Sequence, residues 1–346
     1  MKVAPPHAAP VGIAAAMLWT PPGRDIVTDA VAAGRVDPET AERLGYWELS
    51  TSDDRAGPQM AVLAAQKVLA EAGWSGEDLT LVVHAWLYHQ GHDFWSAPHY
   101  VAHHIGARHA IPVGVQQTSN GCAAAIELAV SRMAADPDVD RCAVTTGDRF
   151  AGPGFDRWLS DFDVAYGDGA TALLLHRGPG PYRLLSVASV SAPEFEIMYR
   201  GADPFSAAPR ETSSTVDTRR NKTVFRESGQ LPRFAAILRR AVQRVIRQAL
   251  AEADLEIDDP RVRYLTLPRI GSVALRELFR PPVDELGLRH LKVLDLGRAT
   301  GHLGAGDSIA NLADLHTGDR MAPGEVALLL SVGNGHTWSC IAVRRE

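Results

Sequence analysis

Cysteine is scarce in this chain. Only Cys122, Cys142 and Cys340 occur in 346 residues, and an odd, scattered set without CxxC spacing is neither a disulfide framework nor a zinc site. A reducing cytoplasm is the expected compartment. Long apolar runs are missing as well: no stretch of about 18 residues suits a membrane span. The opening MKVAPPHAAPVGIAAAMLW has one lysine, an early proline pair and no long apolar core, so it fails as a signal peptide and the chain is expected to be used as made. Blocks of basic charge are also absent. A net charge of −6 with both signs mixed argues against nucleic acid as the main partner and leaves room only for local basic patches that could hold a phosphate. What is plentiful is apolar content, 46% over a length sufficient for two core-forming units, as expected of a soluble globular protein.

Periodicity supplies an outline. Val11 to Trp19 reads as a first strand closed by Pro-Pro-Gly, and Asp25 to Leu44 as short surface helices with Asp37-Pro38 at a helix start. Met60, Leu63, Ala64, Val68 and Leu69 recur at helical spacing within Gln59 to Ala72, with Gly73 as the cap. A strand is expected at Leu79 to Val83. His89, His92, His99, His103 and His104 crowd the next segment, but their spacings fit no tight ligand set and no carboxylates cluster with them, so a polar loop entering a helix is preferred to a metal site. Asp140 to Thr146 and Thr171 to His176 read as strands, with Gly167 and Gly169 assigned to a tight turn. Arg177-Gly-Pro-Gly-Pro181 separates residues 1–180 from 181–346. Pro193 to Arg233 is polar and aperiodic, an excursion that lines a pocket or lies at the surface. Phe234 to Ala253 is an amphipathic helix with arginines on its solvated faces. A helix at Ser272 to Phe279 and strands at Val262 to Leu267, Lys292 to Leu296, Glu325 to Val332 and Thr337 to Val343 complete the outline.

The centre of the sequence is Gln116 to Met133, where the apolar segment Ile111 to Val115 runs through a glycine-containing turn into an alanine-rich helix. Cys122 sits at that turn. A thiol there meets the positive end of the helix dipole and unpaired backbone N–H groups, which favour the thiolate; the alternative is a small buried residue packing a helix start. Gly301 to Leu315 repeats the pattern of a turn into a small-residue helix. Within it His302 precedes Asp307 by five residues, and a glycine turn between them could bring the carboxylate back to the imidazole. A satisfied turn histidine is the alternative.

Three segments in this order, Cys122 in NGCAAAIELA, Asp161 to Ala170 (DFDVAYGDGA) and Gly333-Asn-Gly-His-Thr-Trp338, resemble the signatures of the β-ketoacyl-acyl-carrier-protein synthase III family, and Pro58 to Gly76 resembles the helix preceding its cysteine strand. The resemblance runs from about Gly12 to Arg344, apart from Ser191 to Arg233. It implies an α/β thiolase-like fold of five layers, αβαβα, with two pseudo-repeated halves. The first, residues 1–180, would carry the cysteine, and the second, residues 181–346, would carry the His, Asp and Gly-Asn-Gly elements. It also implies a homodimer, no metal, and no cofactor beyond CoA or phosphopantetheine as part of the substrate.

Within that family Cys122, His302 and Asp307 match the Cys-His-Asp acyltransferases of natural-product pathways. The resemblance assigns the oxyanion hole to the backbone N–H groups of Cys122 and Asn334, with Asn tolerating positive φ. His336 becomes a pocket wall or a second acid/base group. Decarboxylating relatives have a His where Pro268 stands and an Asn where His302 stands, so one enolate donor is lost here. The Trp and Arg that hold CoA in relatives correspond to Glu39 and Arg43, and Val273 replaces a further Arg. Arg43, Arg269 and the arginines of residues 234–248 are the candidate carrier or CoA contacts. The implied activity is transfer of an acyl group from an acyl-CoA or acyl carrier protein, without decarboxylation, to a small-molecule hydroxyl, amine or thiol. A decarboxylating starter condensation and a non-catalytic scaffold are the rivals.

Overall fold

Strands such as Leu81–Ala85, buried along their whole length, can exist only in a sheet covered on both faces. The computed structural model describes residues 10–211 and 213–346; residues 1–9, read above for targeting signals, lie outside these. The strands are β1 (Val11–Trp19), β2 (Gly23–Ile26), β3 (Glu48–Thr51), β4 (Leu81–Ala85), β5 (Ile111–Val115), β6 (Arg141–Asp148), β7 (Gly169–Arg177), β8 (Tyr182–Ser191), β9 (Val262–Thr266), β10 (Lys292–Leu294), β11 (Val326–Gly333) and β12 (Thr337–Arg345). β2 and β3 pair apart from the rest, which form one sheet in the order β10-β9-β11-β12-β8-β1-β7-β6-β4-β5.

The pairing repeats itself. β1 to β7 and β7 to β6 are antiparallel, then β6 to β4 and β4 to β5 are parallel. In the same sense β8 to β12 and β12 to β11 are antiparallel, then β11 to β9 and β9 to β10 are parallel. The two sets meet where Val11 to Ile13 pair with Tyr182 to Leu184. Six helices matter for the site: α1 (Gly57–Ala72), α2 (Ala97–His104), α3 (Gly121–Ala135), α4 (Thr218–Glu227), α5 (Leu231–Glu252) and α6 (Asp307–Thr317).

α1 and α2 cover the outer face of the first set, and α5 that of the second. α3 and α6 lie between the sets, where Ile126, Ala129, Ile309 and Leu312 join Leu173 and Leu329 in one core. The layers are therefore αβαβα. The middle layer needs small residues because helices and sheets press on it from both sides: a Cβ on Gly121 would lie 2.8 Å from the Cβ of Ala305.

Several expectations shift. The strand placed at Leu79 to Val83 begins at Leu81, because a 3-10 turn at Gly76–Asp78, fixed by Asp78 accepting from the Ser75 N–H at 2.7 Å, consumes the preceding residues. The helix expected from Ser272 to Phe279 is a single turn at Ser272–Ala274 followed by a π-helical turn at Leu275–Phe279; Pro281 and Pro282 supply no N–H to regular i→i−4 bonds there. The described residues of the segment 193–233 include a turn of helix at Ile197–Arg200 and then α4. Gly167 and Gly169 have no positive φ. Gly167 serves close approach instead, since a Cβ there would fall 1.7 Å from the Thr300 carbonyl oxygen.

All three cysteines are free and buried. No helix among the described residues is long and apolar enough to cross a membrane. Among the described residues no group of His, Cys, Asp and Glu is arranged to hold a metal; His92 and His104 pack against Trp95 and Tyr100.

Candidate active site

Between β5 and α3 the chain makes a 3-10 turn, Thr118–Asn120. Thr118 is held at φ 49°, a strained conformation for a β-branched residue, and its Oγ1 donates to the Asn334 carbonyl at 3.1 Å. The turn leaves Ser119 buried with its Oγ 2.7 Å from His302 Nε2. His302 is pinned through its backbone, whose N–H donates to Ala165 O at 2.9 Å and whose carbonyl accepts from Gly167 N at 3.0 Å. Its Nδ1 lies 2.7 Å from Asp307 Oδ2.

Asp307 opens α6 and accepts in addition from the backbone N–H groups of Leu303 at 3.0 Å and Arg269 at 2.8 Å. Burial alone would raise its carboxyl, but His302 and then Arg269 hold it below the ordinary carboxylate range. An ionised Asp307 places the ring proton on Nδ1. Nε2 is then a lone-pair acceptor facing the Ser119 hydroxyl.

Cys122, expected as the nucleophile, is not in this chain of contacts. It lies in the first turn of α3, fully buried, with its sulfur against the backbone N–H groups of Ser308 and Ile309, and burial pushes the thiol up to about 11. It is not among the residues that line the cavity beside His302, whereas Ser119 is. The turn at the helix start is where the site lies, but the helix begins after Asn120, so the residue facing the cavity is the serine in the 3-10 turn. The available signal was Thr-Ser-Asn-Gly itself, a hydroxyl in the turn ahead of a glycine that lets the helix start pack closely.

Asn334 stands in the β11–β12 turn and lines the same cavity. The left-handed conformation expected of it is taken by Gly335 at φ 86° and His336 at φ 63°. His336 is a wall: its ring packs against Phe234, Tyr199, Trp338 and Phe195, and burial lowers its pKa to about 4.

Arg269 cannot touch a carrier. It is fully buried, donating to Asn311 Oδ1 at 3.0 Å and Thr300 Oγ1 at 2.9 Å and pairing with Asp314, so it braces Asp307 from behind. Arg43 lies over the Phe162 ring at 5.7 Å, with Arg219 at 5.3 Å and Arg226 at 4.4 Å over the same ring. The arginines within residues 234–248 do not line the cavity.

The cavity holds about 330 Å³, at the small end of ligand pockets. Ser119 and His302 belong to its wall, with Val164, Phe225, Leu238 and Val332 among its apolar residues. Of the two readings of Pro193 to Arg233, the pocket lining is the one found, and the helix α4 that supplies it was not expected. Buried Lys222 bonds Asp161 at 2.7 Å and Asp163 at 3.2 Å, which fixes α4 so that Phe225 closes the pocket.

Residues 269–345 match the family described as 3-oxoacyl-[acyl-carrier-protein (ACP)] synthase III, C terminal. Over 333 residues the chain is 26% identical to the β-ketoacyl-[acyl-carrier-protein] synthase III of Paramagnetospirillum magneticum, covering 92% of this chain and 94% of that protein. The acyltransferase ChlB3 superposes with a TM-score of 0.89 at 30% identity, over 97% of this chain and 98% of its own. The priming β-ketosynthase of the R1128 polyketide pathway superposes with a TM-score of 0.77 at 20% identity, over 99% and 98%.

Proposed function

Because the chain belongs to the β-ketoacyl-[acyl-carrier-protein] synthase III-like family of the thiolase superfamily, we propose that it is an acyltransferase of a natural-product pathway that carries its acyl group as an ester on Ser119. The observation that carries this reading is the unbroken sequence Ser119 Oγ, His302 Nε2, His302 Nδ1, Asp307 Oδ2, with both hydrogen bonds at 2.7 Å, beside an apolar cavity. In the first half-reaction Ser119 Oγ attacks the thioester carbonyl as its proton passes to His302 Nε2. The C–S bond breaks, and the departing thiolate takes that proton. In the second half-reaction His302 accepts the proton of an acceptor O–H or N–H, the acceptor attacks the ester carbonyl, and Ser119 leaves with the proton restored.

Asp307 holds the ring tautomer and the transient imidazolium. The backbone N–H groups of Ser119 and Asn334 are the candidate oxyanion donors, joined by the Thr118 to Asn334 bond. Arg43, Arg219 and Arg226 around Phe162 suit the phosphate of a CoA or carrier-protein arm. Pro268 offers no donor for an enolate, which supports transfer without decarboxylation. The ester also restricts the acceptor. A thioester donor acylates a serine downhill and an ester passes its acyl group to a hydroxyl or amine without climbing, whereas a thiol acceptor would reverse that gain.

Intact-protein mass spectrometry after incubation with a panel of acyl-CoA and acyl-carrier thioesters, malonyl included, tests the reading. Wild type and Cys122→Ala should gain the full acyl mass, and Ser119→Ala should gain none. An adduct lost in Cys122→Ala and kept in Ser119→Ala would return the thiol to the centre. No adduct in any protein would leave a non-catalytic scaffold, and loss of CO2 from malonyl would favour condensation.

A further inference from the structure

One helix carries a charge that the rest of the chain does not answer. α5 has five arginines, Arg233, Arg239, Arg240, Arg244 and Arg247, and no acidic residue before Glu252, in a chain whose net charge is −6. Arg233 pairs with Glu194 and Arg239 with Glu285. Arg240, Arg244 and Arg247 are exposed, and none of them pairs with a carboxylate among the described residues. Their spacing of four and then three residues puts the three guanidiniums on one face. With Gln243, Gln248 and Ala251 they line an open groove of about 510 Å³. Like charges at these intervals repel, on a surface where glutamate or alanine would form the helix as well. An acidic partner relieves that repulsion.

Place and spacing narrow the partner. Leu231, Phe234 and Leu238 of the same helix wall the cavity that Ser119 and His302 line, and Leu231 is 39% exposed at its mouth. Arg240 follows nine residues later, about 14 Å along the helix axis. A body seated on the arginines therefore stands close to the entrance, and the arginines themselves do not line the cavity. A lone phosphate meets one guanidinium, whereas an acidic helix carries carboxylates at the same intervals and meets all three. The patch is too short, in a chain of net negative charge, to track a nucleic-acid backbone.

We infer that the face of α5 formed by Arg240, Arg244 and Arg247 docks the acidic helix of a carrier protein that presents the acyl group on its arm. That the partner is a carrier rests on the acyl-transfer reading above; that it is an acidic helix rests on the charge and spacing of the face. Docking holds the arm beside the cavity, and the charge of the face speeds the encounter. A CoA donor has no such helix, so it reaches Ser119 without using these arginines.

The test compares the full-length wild type with a variant combining Arg240→Glu, Arg244→Glu and Arg247→Glu. The probe is a small acidic acyl carrier protein bearing phosphopantetheine. Its binding without an acyl group is measured by calorimetry at about 50 and about 500 mM salt. Acylation of Ser119 is followed by intact mass, with the same panel of acyl groups offered on the carrier and on CoA. Wild type should bind the carrier, lose about tenfold or more of that affinity at the higher salt, and exceed the variant by about thirtyfold or more at the lower. Acylation from subsaturating carrier should fall by a similar factor, while acylation from CoA stays within about twofold. No carrier binding by wild type, or binding that survives the charge reversal, overturns the docking face. So does an equal fall with both donors, since the substitutions then act on the fold or the cavity. Carrier binding lost on reversal, with no adduct on Ser119 in either protein, keeps the docking face and removes the acyl-ester reading.

Discussion

Asp307 shows how much a single atom decides. Its Oδ2 accepts from both His302 Nδ1 and the Arg269 N–H, and its Oδ1 accepts from Leu303 N. An amide in its place must present an NH2 to at least one of these donors. Asp307→Asn therefore favours the wrong ring tautomer and leaves Nε2 protonated toward Ser119. The expected loss in acylation rate is about a thousandfold to ten-thousandfold, with far-ultraviolet circular dichroism unchanged; a loss below about tenfold would take Asp307 out of the mechanism.

The His302–Asp307 pair was legible in sequence because the intervening glycines, with Gly304 at φ 62°, permit the return. Ser119 was not. It lies three residues before Cys122 in the same turn, and only the start of the helix decides which one faces the cavity. Arg269 was misread for a related reason: a charged side chain suggests a surface, and its partners Thr300, Asn311 and Asp314 lie 31, 42 and 45 residues away.

Among elements, the contact between the β11–β12 turn and the Thr118–Asn120 turn carries the site. Gly333 makes that contact possible: a Cβ there would lie 2.6 Å from Thr118 Oγ1 and 2.9 Å from Asn120 N. Both turns are anchored to strands or a helix, so Gly333→Ala should displace the Ser119 turn and break its bond to His302. Misplacement by about 1 Å costs on the order of a hundredfold in rate. The check is the acylation rate of Gly333→Ala beside its melting temperature; a normal rate would mean that the turn yields elsewhere.

α1 and α5 announced themselves by apolar spacing. α4 did not, because its strongly charged sequence buries only Lys222 and Phe225, and the burial of a lysine depends on Asp161 and Asp163 from a distant loop. A hydropathy pattern cannot report an ion pair that forms only after folding.

On the scale of the whole molecule, the repeated pairing of strands puts polar side chains inside layers covered on both faces, and acid should expose this. His84 on β4 is buried between Thr145 Oγ1 at 3.0 Å and Gln90 Oε1 at 3.1 Å, and burial lowers its pKa to about 4. His336 is lowered to about 4 by the same cause. An unfolded histidine takes its proton near pH 6.5, so each contributes stability that is complete above about pH 6.5 and is lost as pH falls toward about 4, at about 1.4 kcal/mol per pH unit.

Asp148 opposes them. Burial pushes its carboxyl up to about 7 against the N–H groups of Ala305, Tyr88 and Leu87, so the folded chain keeps a proton that the unfolded chain has released. Its contribution is greatest in acid and fades as pH rises toward about 7. Two histidines against one carboxyl leave a net loss of roughly one proton's worth, about 1.4 kcal/mol for each unit below pH 6.5. Urea unfolding at pH 6.5, 5.5 and 4.5 measures this slope, and His84→Gln, which retains an amide for Thr145 and Gln90, should bring it close to zero. An unchanged slope in that variant would mean that His84 is protonated in the folded protein and that the interior of the first set of strands is wetter than its burial indicates.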